Sequence, residues 1–162
     1  MRIDLPPVGP AGIEAKTWDV GSVRYLYIAG SDHWRDWVHH ILPGARRREI
    51  DAAYALYSRI RSSHVVYYVV SGHSLGGAVA ETLATIMRKD GHRVICVTFG
   101  GKRPPVGYSA KGVRYRHKGD VVPLLTPWRG FATHKRIGDL AVPWKAHGPD
   151  TYDTVRRDHG LE

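Results

Sequence analysis

The chain is poor in what would make it disulfide-stapled, membrane-spanning or disordered. It holds one cysteine in 162 residues, so an internal disulfide is excluded and the core must hold the fold. Cys96 lies within Val94-Ile95-Cys96-Val97-Thr98-Phe99, where it reads as a small core residue. No apolar run approaches the roughly 20 residues that cross a bilayer. The opening Met1-Arg2-Ile3-Asp4-Leu5-Pro6-Pro7 lacks the apolar stretch of a secretory leader. The expectation is a cytoplasmic protein, or one released without such a leader. Internal repeats and long low-complexity segments are missing. Acidic residues are scarce: 15 against 24 Lys and Arg give a net charge of +9. Such a surface attracts phosphate, anionic lipid or acidic polymers. The basic residues are dispersed, Arg46-Arg47-Arg48 and Arg156-Arg157 apart, without a helix-turn-helix, zinc-finger or aromatic RNA-binding signature. They read as a solvated face open to an anionic interface and imply no specific nucleic-acid partner. HExxH is absent. His33, Asp36, His39 and His40 have helical spacing, but Trp34 and Trp37 crowd the same segment, so no metal is expected.

What is present is a globular composition with 43% hydrophobic residues, enough for one core. Residues 1–162 read as a single domain, with 1–12, rich in Pro and Gly, as an N-terminal arm. Strand character marks 23–28, 65–71, 93–99 and 113–116. Helical periodicity marks 33–42, 46–61 and 75–90, with Gly91 as a stop, and a last helix from about 149 to 159. In the second of these, Ile50, Ala53, Tyr54, Tyr57 and Ile60 form the apolar face. The stretch 124–143 is broken by Pro and Gly and sets no element. Strands alternating with helices predict an α/β fold with a mostly parallel central sheet flanked by helices.

One junction stands out. Val65-Val66-Tyr67-Tyr68-Val69-Val70 runs into Gly72-His73-Ser74-Leu75-Gly76-Gly77 and then a small-residue helix. Strand, G-x-S-x-G turn and helix form the setting in which a serine becomes a nucleophile. A serine hydroxyl needs an adjacent base, and the base an orienting acid. Ser74, Asp120 and His147 supply them in chain order. Asp120 follows a predicted strand end, where parallel sheets place their ligand sites. Asp139, Asp150 and Asp153 remain alternative acids, and His117 and His134 alternative bases.

Gly72-His73-Ser74-Leu75-Gly76-Gly77-Ala78 resembles the nucleophile elbow of the class 3 lipases, the fungal-lipase-like α/β-hydrolases. Thr98-Phe99-Gly100, Arg103 and Val106-Gly107 resemble that family's T-F-G-x-P-R-V-G stretch. Asp120-Val121-Val122-Pro123 is similar to its D-x-V-P motif, and His147 with Tyr152 to its H-x-x-x-x-Y motif. Ala29-Gly30-Ser31 and Asp36-Trp37 resemble its R-G-[ST]…D-W segment, with Ala29 where the family has Arg. The resemblance spans roughly 23–153. It implies a minimal α/β-hydrolase domain and a cofactor-free serine ester hydrolase of the lipase or carboxylesterase type, acting through an acyl-enzyme on ester or lipid substrates. It assigns the oxyanion hole to Ser31 and the backbone N–H of Leu75. Residues 32–42, with Trp34 and Trp37 as substrate-binding candidates, occupy the lid position; their tight Pro43-Gly44 boundary favours an immobile helix over a mobile cover. The competing expectations are a binding protein on the same fold with little turnover, and a polyanion or nucleic-acid binder driven by the basic surface.

Overall fold

The computed structural model describes residues 2–8, 12–30, 44–124, 133–138, 145 and 147–161. The expected helix 33–42, with Trp34, Trp37 and the His33, Asp36, His39, His40 group, lies outside them, as does Ser31.

Seven strands form one sheet in chain order: β1 (Ile3–Val8), β2 (Ile13–Val20), β3 (Val23–Ile28), β4 (Tyr67–His73), β5 (Arg93–Phe99), β6 (Val113–His117) and β7 (Thr133–Ile137). β1, β2 and β3 pair antiparallel; every pairing from β3 to β7 is parallel. α1 (Ala45–Ile60) lies between β3 and β4 in the chain, and α2 (Ser74–Lys89) between β4 and β5. A 3₁₀ turn at Pro149–Tyr152 leads into α3 (Asp153–Asp158).

Alternation along the central strands feeds two cores, because successive side chains point to opposite faces. Leu26 and Ile28 of β3, Tyr68 and Val70 of β4, and Val94 and Cys96 of β5 join Ala53, Leu56 and Ile60 of α1 and Val79, Leu83 and Met87 of α2. Val97 and Phe99 of β5 face the other way and join Tyr115, Tyr152 and Leu161. Cys96 is buried, as expected, and burial pushes its thiol well up, which keeps it protonated.

α2 is buried along nearly its whole length, so its polar groups need partners. Its Glu81, 1% exposed, pairs with Arg114 of β6, 4% exposed. The guanidinium donates to both carboxylate oxygens. Burial holds the Glu81 carboxyl above its usual range, although the guanidinium and nearby donors oppose this.

Three expectations change. The supposed arm lays residues 3–8 against β2 as an edge strand. Pro6-Pro7 fits there because an edge residue needs no ladder N–H on its outer side, and the register shifts between Leu5 and Val8. In α1 the buried face is Glu49, Ala52, Ala53, Leu56, Tyr57 and Ile60, while Tyr54 is exposed. The inward stripe is rotated because Glu49 turns in to meet Lys102. In the unassigned stretch 124–143, residues 133–137 form β7, an edge strand whose exposed His134, Lys135 and Arg136 oppose pairing with another chain.

Arg114→Met leaves the Glu81 carboxylate buried without its partner. It should cost about 3–5 kcal/mol of unfolding free energy. Adding Glu81→Met should recover much of that loss, since the uncompensated charge is gone. Urea unfolding of the two variants measures both effects.

Candidate active site

The site begins with crowding at the β4–α2 corner. An added Cβ on Gly72 would come within 2.3 Å of the Gly76 carbonyl oxygen, and one on Gly76 within 2.3 Å of the Ile28 carbonyl oxygen. Neither position has room for a side chain, so backbone packs on backbone. The turn forces Ser74 to φ 53°, and Ser74 alone among the described non-glycine residues has a positive φ. That left-handed conformation costs an L-residue about 1–3 kcal/mol. The surrounding core over-determines it: Ser74 is 4% exposed, and its carbonyl accepts a 3.0 Å bond from the Lys102 N–H. Ser74 thus sits at the first residue of α2. Leu75 follows, packed into the larger core. His73 at the N-cap makes no side-chain bond to the helix, and the first turn carries no acid. The positive end of the helix dipole is therefore not offset by a neighbouring carboxylate.

The other two candidates converge on this serine. Asp120 follows the end of β6 and is completely buried. Its Oδ1 accepts from the Val122 N–H at 3.0 Å and its Oδ2 from the Tyr152 hydroxyl at 2.7 Å. His147 Nδ1 lies 3.1 Å from both carboxylate oxygens. His147 Nε2 lies 2.9 Å from Ser74 Oγ. A carboxylate only accepts, so Nδ1 carries the proton and Nε2 presents its lone pair to the serine hydroxyl. The His147 side chain remains 18% exposed beside the fully buried Asp120. Gly100, at φ 54°, brings the β5 end against this group: an added Cβ would sit 2.7 Å from Asp120 Oδ2 and 3.2 Å from His147 Nδ1.

The alternative residues go elsewhere. Asp153 pairs with Arg156 at 3.1 Å, and Asp150 is exposed. His134 points outward on β7, and His117 Nδ1 bonds the Lys118 carbonyl at 2.8 Å. Asp139 lies outside the described residues. Among the described residues no His, Cys, Asp and Glu group is arranged to hold a metal ion. No helix there is long and apolar enough to cross a membrane.

Two neighbours were not assigned a role from the sequence. The Tyr152 hydroxyl donates to Asp120 and accepts from the His117 N–H at 3.0 Å. Burial, then the Asp120 charge, pushes its phenol well above the usual range. The H-x-x-x-x-Y spacing held this signal. His73, between Gly72 and Ser74, places its Nε2 2.8 Å from the His147 carbonyl oxygen. Burial, then the proximity of His147, holds its imidazole down to about 4. Its place inside the G-x-S-x-G turn was the available clue.

Residues 55–130 match the profile of the family described as Lipase (class 3). Over this stretch the chain is similar to the class 3 lipases. Over 68 residues it is 43% identical to the secreted mono- and diacylglycerol lipase 1 of Fusarium solani, covering 37% of this chain and 20% of that protein. It therefore spans about a fifth of that relative. The Lip2 lipase of Yarrowia lipolytica superposes with a TM-score of 0.57 at 20% identity, over 85% of this chain and 64% of that one. The M37 lipase gives 0.50 at 11% identity, over 70% and 49%. These two structural likenesses establish the shared α/β-hydrolase fold. Of the motifs quoted from the sequence, Gly72–Ser74, Gly100, Asp120, His147 and Tyr152 come together around one site.

Two outcomes follow from this geometry. Tyr152→Phe removes a hydroxyl that serves two buried partners, and should lower unfolding free energy by about 1–3 kcal/mol in urea. His73 gives a pH dependence. Its folded-state value, about 4, lies below the ordinary 6.5. Between those values the unfolded chain binds more protons. Stability from this group is complete above pH 6.5 and falls by about 3 kcal/mol as pH drops through that window. Replacing His73 with Gln should flatten that part of the stability–pH curve.

Proposed function

We propose that the chain is a serine ester hydrolase of the lipase or carboxylesterase type. The observation that carries this reading is the continuous line Asp120–His147–Ser74, with Ser74 on a strained turn at a helix start. Ser74 Oγ attacks the ester carbonyl carbon while His147 Nε2 takes its proton. Asp120 holds the imidazolium that results. The tetrahedral oxyanion is received by the Leu75 N–H, with Ser31 as second donor by family resemblance. On collapse, His147 returns the proton to the leaving alcohol, and an acyl group remains on Ser74. Water, deprotonated by the same histidine, then releases the carboxylic acid. Each step uses only protein groups and water.

Acylglycerols and short- or medium-chain esters are the proposed substrates. The similarity to a mono- and diacylglycerol lipase of Fusarium solani supports the first. The net charge of +9 supports work at an anionic lipid interface. Trp34 and Trp37 are retained as proposed acyl contacts.

A p-nitrophenyl butyrate assay beside an active-site serine probe tests the reading. Ser74→Ala should abolish both turnover and labelling while leaving the far-ultraviolet circular dichroism unchanged. Asp120→Asn and His147→Ala should each lower kcat by roughly 10⁴ or more, since such residues act as a unit. Wild-type turnover in Ser74→Ala would refute the mechanism.

A further inference from the structure

Building on the ester-hydrolase reading, we propose that His73 is a positioning residue: its imidazole straps the main chain of the histidine loop to the strand that delivers Ser74, and so sets the Ser74–His147 distance.

The loop around His147 is shaped by its own turn. Gly148 N–H and Thr151 Oγ1 both donate to the Lys145 carbonyl. Those bonds are local and give the loop a form without a place. Longer-range bonds must fix it against the sheet. Asp120 reaches the His147 ring and Tyr152 reaches Asp120, but both act through side chains. The His73 bond engages the main chain of His147 itself, 74 residues away in sequence, at 2.8 Å. A carbonyl oxygen only accepts, so His73 Nε2 must carry the proton.

The rest of the environment suits a fixed strap. His73 is 7% exposed. Its ring lies 4.8 Å from the His147 ring at 31°, and 5.8 Å from the Tyr152 ring. An added Cβ on Gly30 would sit 3.2 Å from His73 Nδ1, so the end of β3 closes the remaining side. Because His73 precedes Ser74, the tether starts one residue from the nucleophile. Main chain of the base, side chain of His73, main chain of the nucleophile and the 2.9 Å Ser74–His147 bond close a small ring of contacts. Such a ring leaves little slack, and a displacement of about 1 Å at reacting groups is worth up to about 10² in rate.

The test compares His73→Phe, which keeps a packed ring without a donor, with His73→Gln, whose amide N–H reaches the same carbonyl. Steady-state kinetics on p-nitrophenyl butyrate are read with the downfield proton NMR signal of His147 Nδ1–H, which does not depend on turnover. His73→Phe should lower kcat about 10- to 100-fold, leave KM within about twofold, and broaden or erase the His147 proton signal. His73→Gln should restore most of the rate and the signal. Wild-type kcat and signal in His73→Phe would overturn the proposal, as would equal impairment of both variants, which would mean that ring packing alone matters. If His73→Phe does not fold, His73→Asn, too short to reach the carbonyl, replaces it under the same criteria. Failure of the hydrolase reading shows separately, as equal turnover by wild type and Ser74→Ala. The His147 signal then decides the strap by itself.

Discussion

The constraint on which the rest depends is the contact of backbone with backbone at the β4–α2 corner. Gly72 packs on Gly76, and Gly76 on the carbonyls of β3, at distances that exclude any Cβ. This closeness lets a buried strand turn directly into a buried helix. It also forces Ser74 into a conformation that an isolated chain would leave at once. The strain is held by the larger core, to which β3, β4, β5, α1 and α2 all contribute. A serine on a relaxed loop would follow that loop's fluctuations. Here it moves only with the sheet.

The polar groups around the serine obey a second constraint, that buried donors and acceptors must be satisfied. Asp120 is fully buried, yet its oxygens meet a main-chain N–H, a phenol and an imidazole. Each partner stabilises the charged carboxylate, and the imidazole bond selects the tautomer that faces Ser74. Tyr152 and His73 extend the same logic outward. Tyr152 donates to the Asp120 carboxylate, and His73 bonds the main-chain carbonyl of His147. The neutral state of His73 fits its position, because a second positive charge beside His147 would oppose an imidazolium there.

The sequence showed the centre of this arrangement better than its margins. Glycine at 72 and 76 around Ser74 has few other uses, and Asp120 and His147 follow in a fixed order. The central strands were legible because their apolar runs are long and end in turn residues. β2 was missed although Ile13, Ala15 and Thr17 alternate with exposed Glu14, Lys16 and Trp18, the last only partly covered. No element is expected over residues 13–20, between the supposed arm 1–12 and the strand expected at 23–28. β7 was missed because an edge strand of mostly exposed residues has no apolar pattern to display. The α1 face was misplaced because Glu49 spends a core position on an ion pair with Lys102, and periodicity assigns such positions to apolar residues. Local motifs marked the positions of His73 and Tyr152, but their partners lie 74 and 32 residues away in sequence, and local spacing does not name those partners.

The two cores divide the site between them. Leu75, directly after Ser74, belongs to the cluster covered by α1 and α2. Tyr152, which holds Asp120 and shortly follows His147, belongs to the cluster on the opposite face, where its ring lies 6.0 Å from Phe99. Ser74 is therefore positioned from one side of the sheet, and Asp120 and His147 from the other. β5 joins the halves, because Cys96 packs into the first cluster while Val97 and Phe99 pack into the second. At the end of that strand Gly100 lets the main chain pass within contact of Asp120, Tyr152 and His147 together. Loosening either face shifts one partner relative to the other even when all three side chains remain. The His73 bond crosses this division directly. It links β4 to the histidine loop without passing through either core, so on the proposed reading the Ser74–His147 spacing is held independently of how well each face packs.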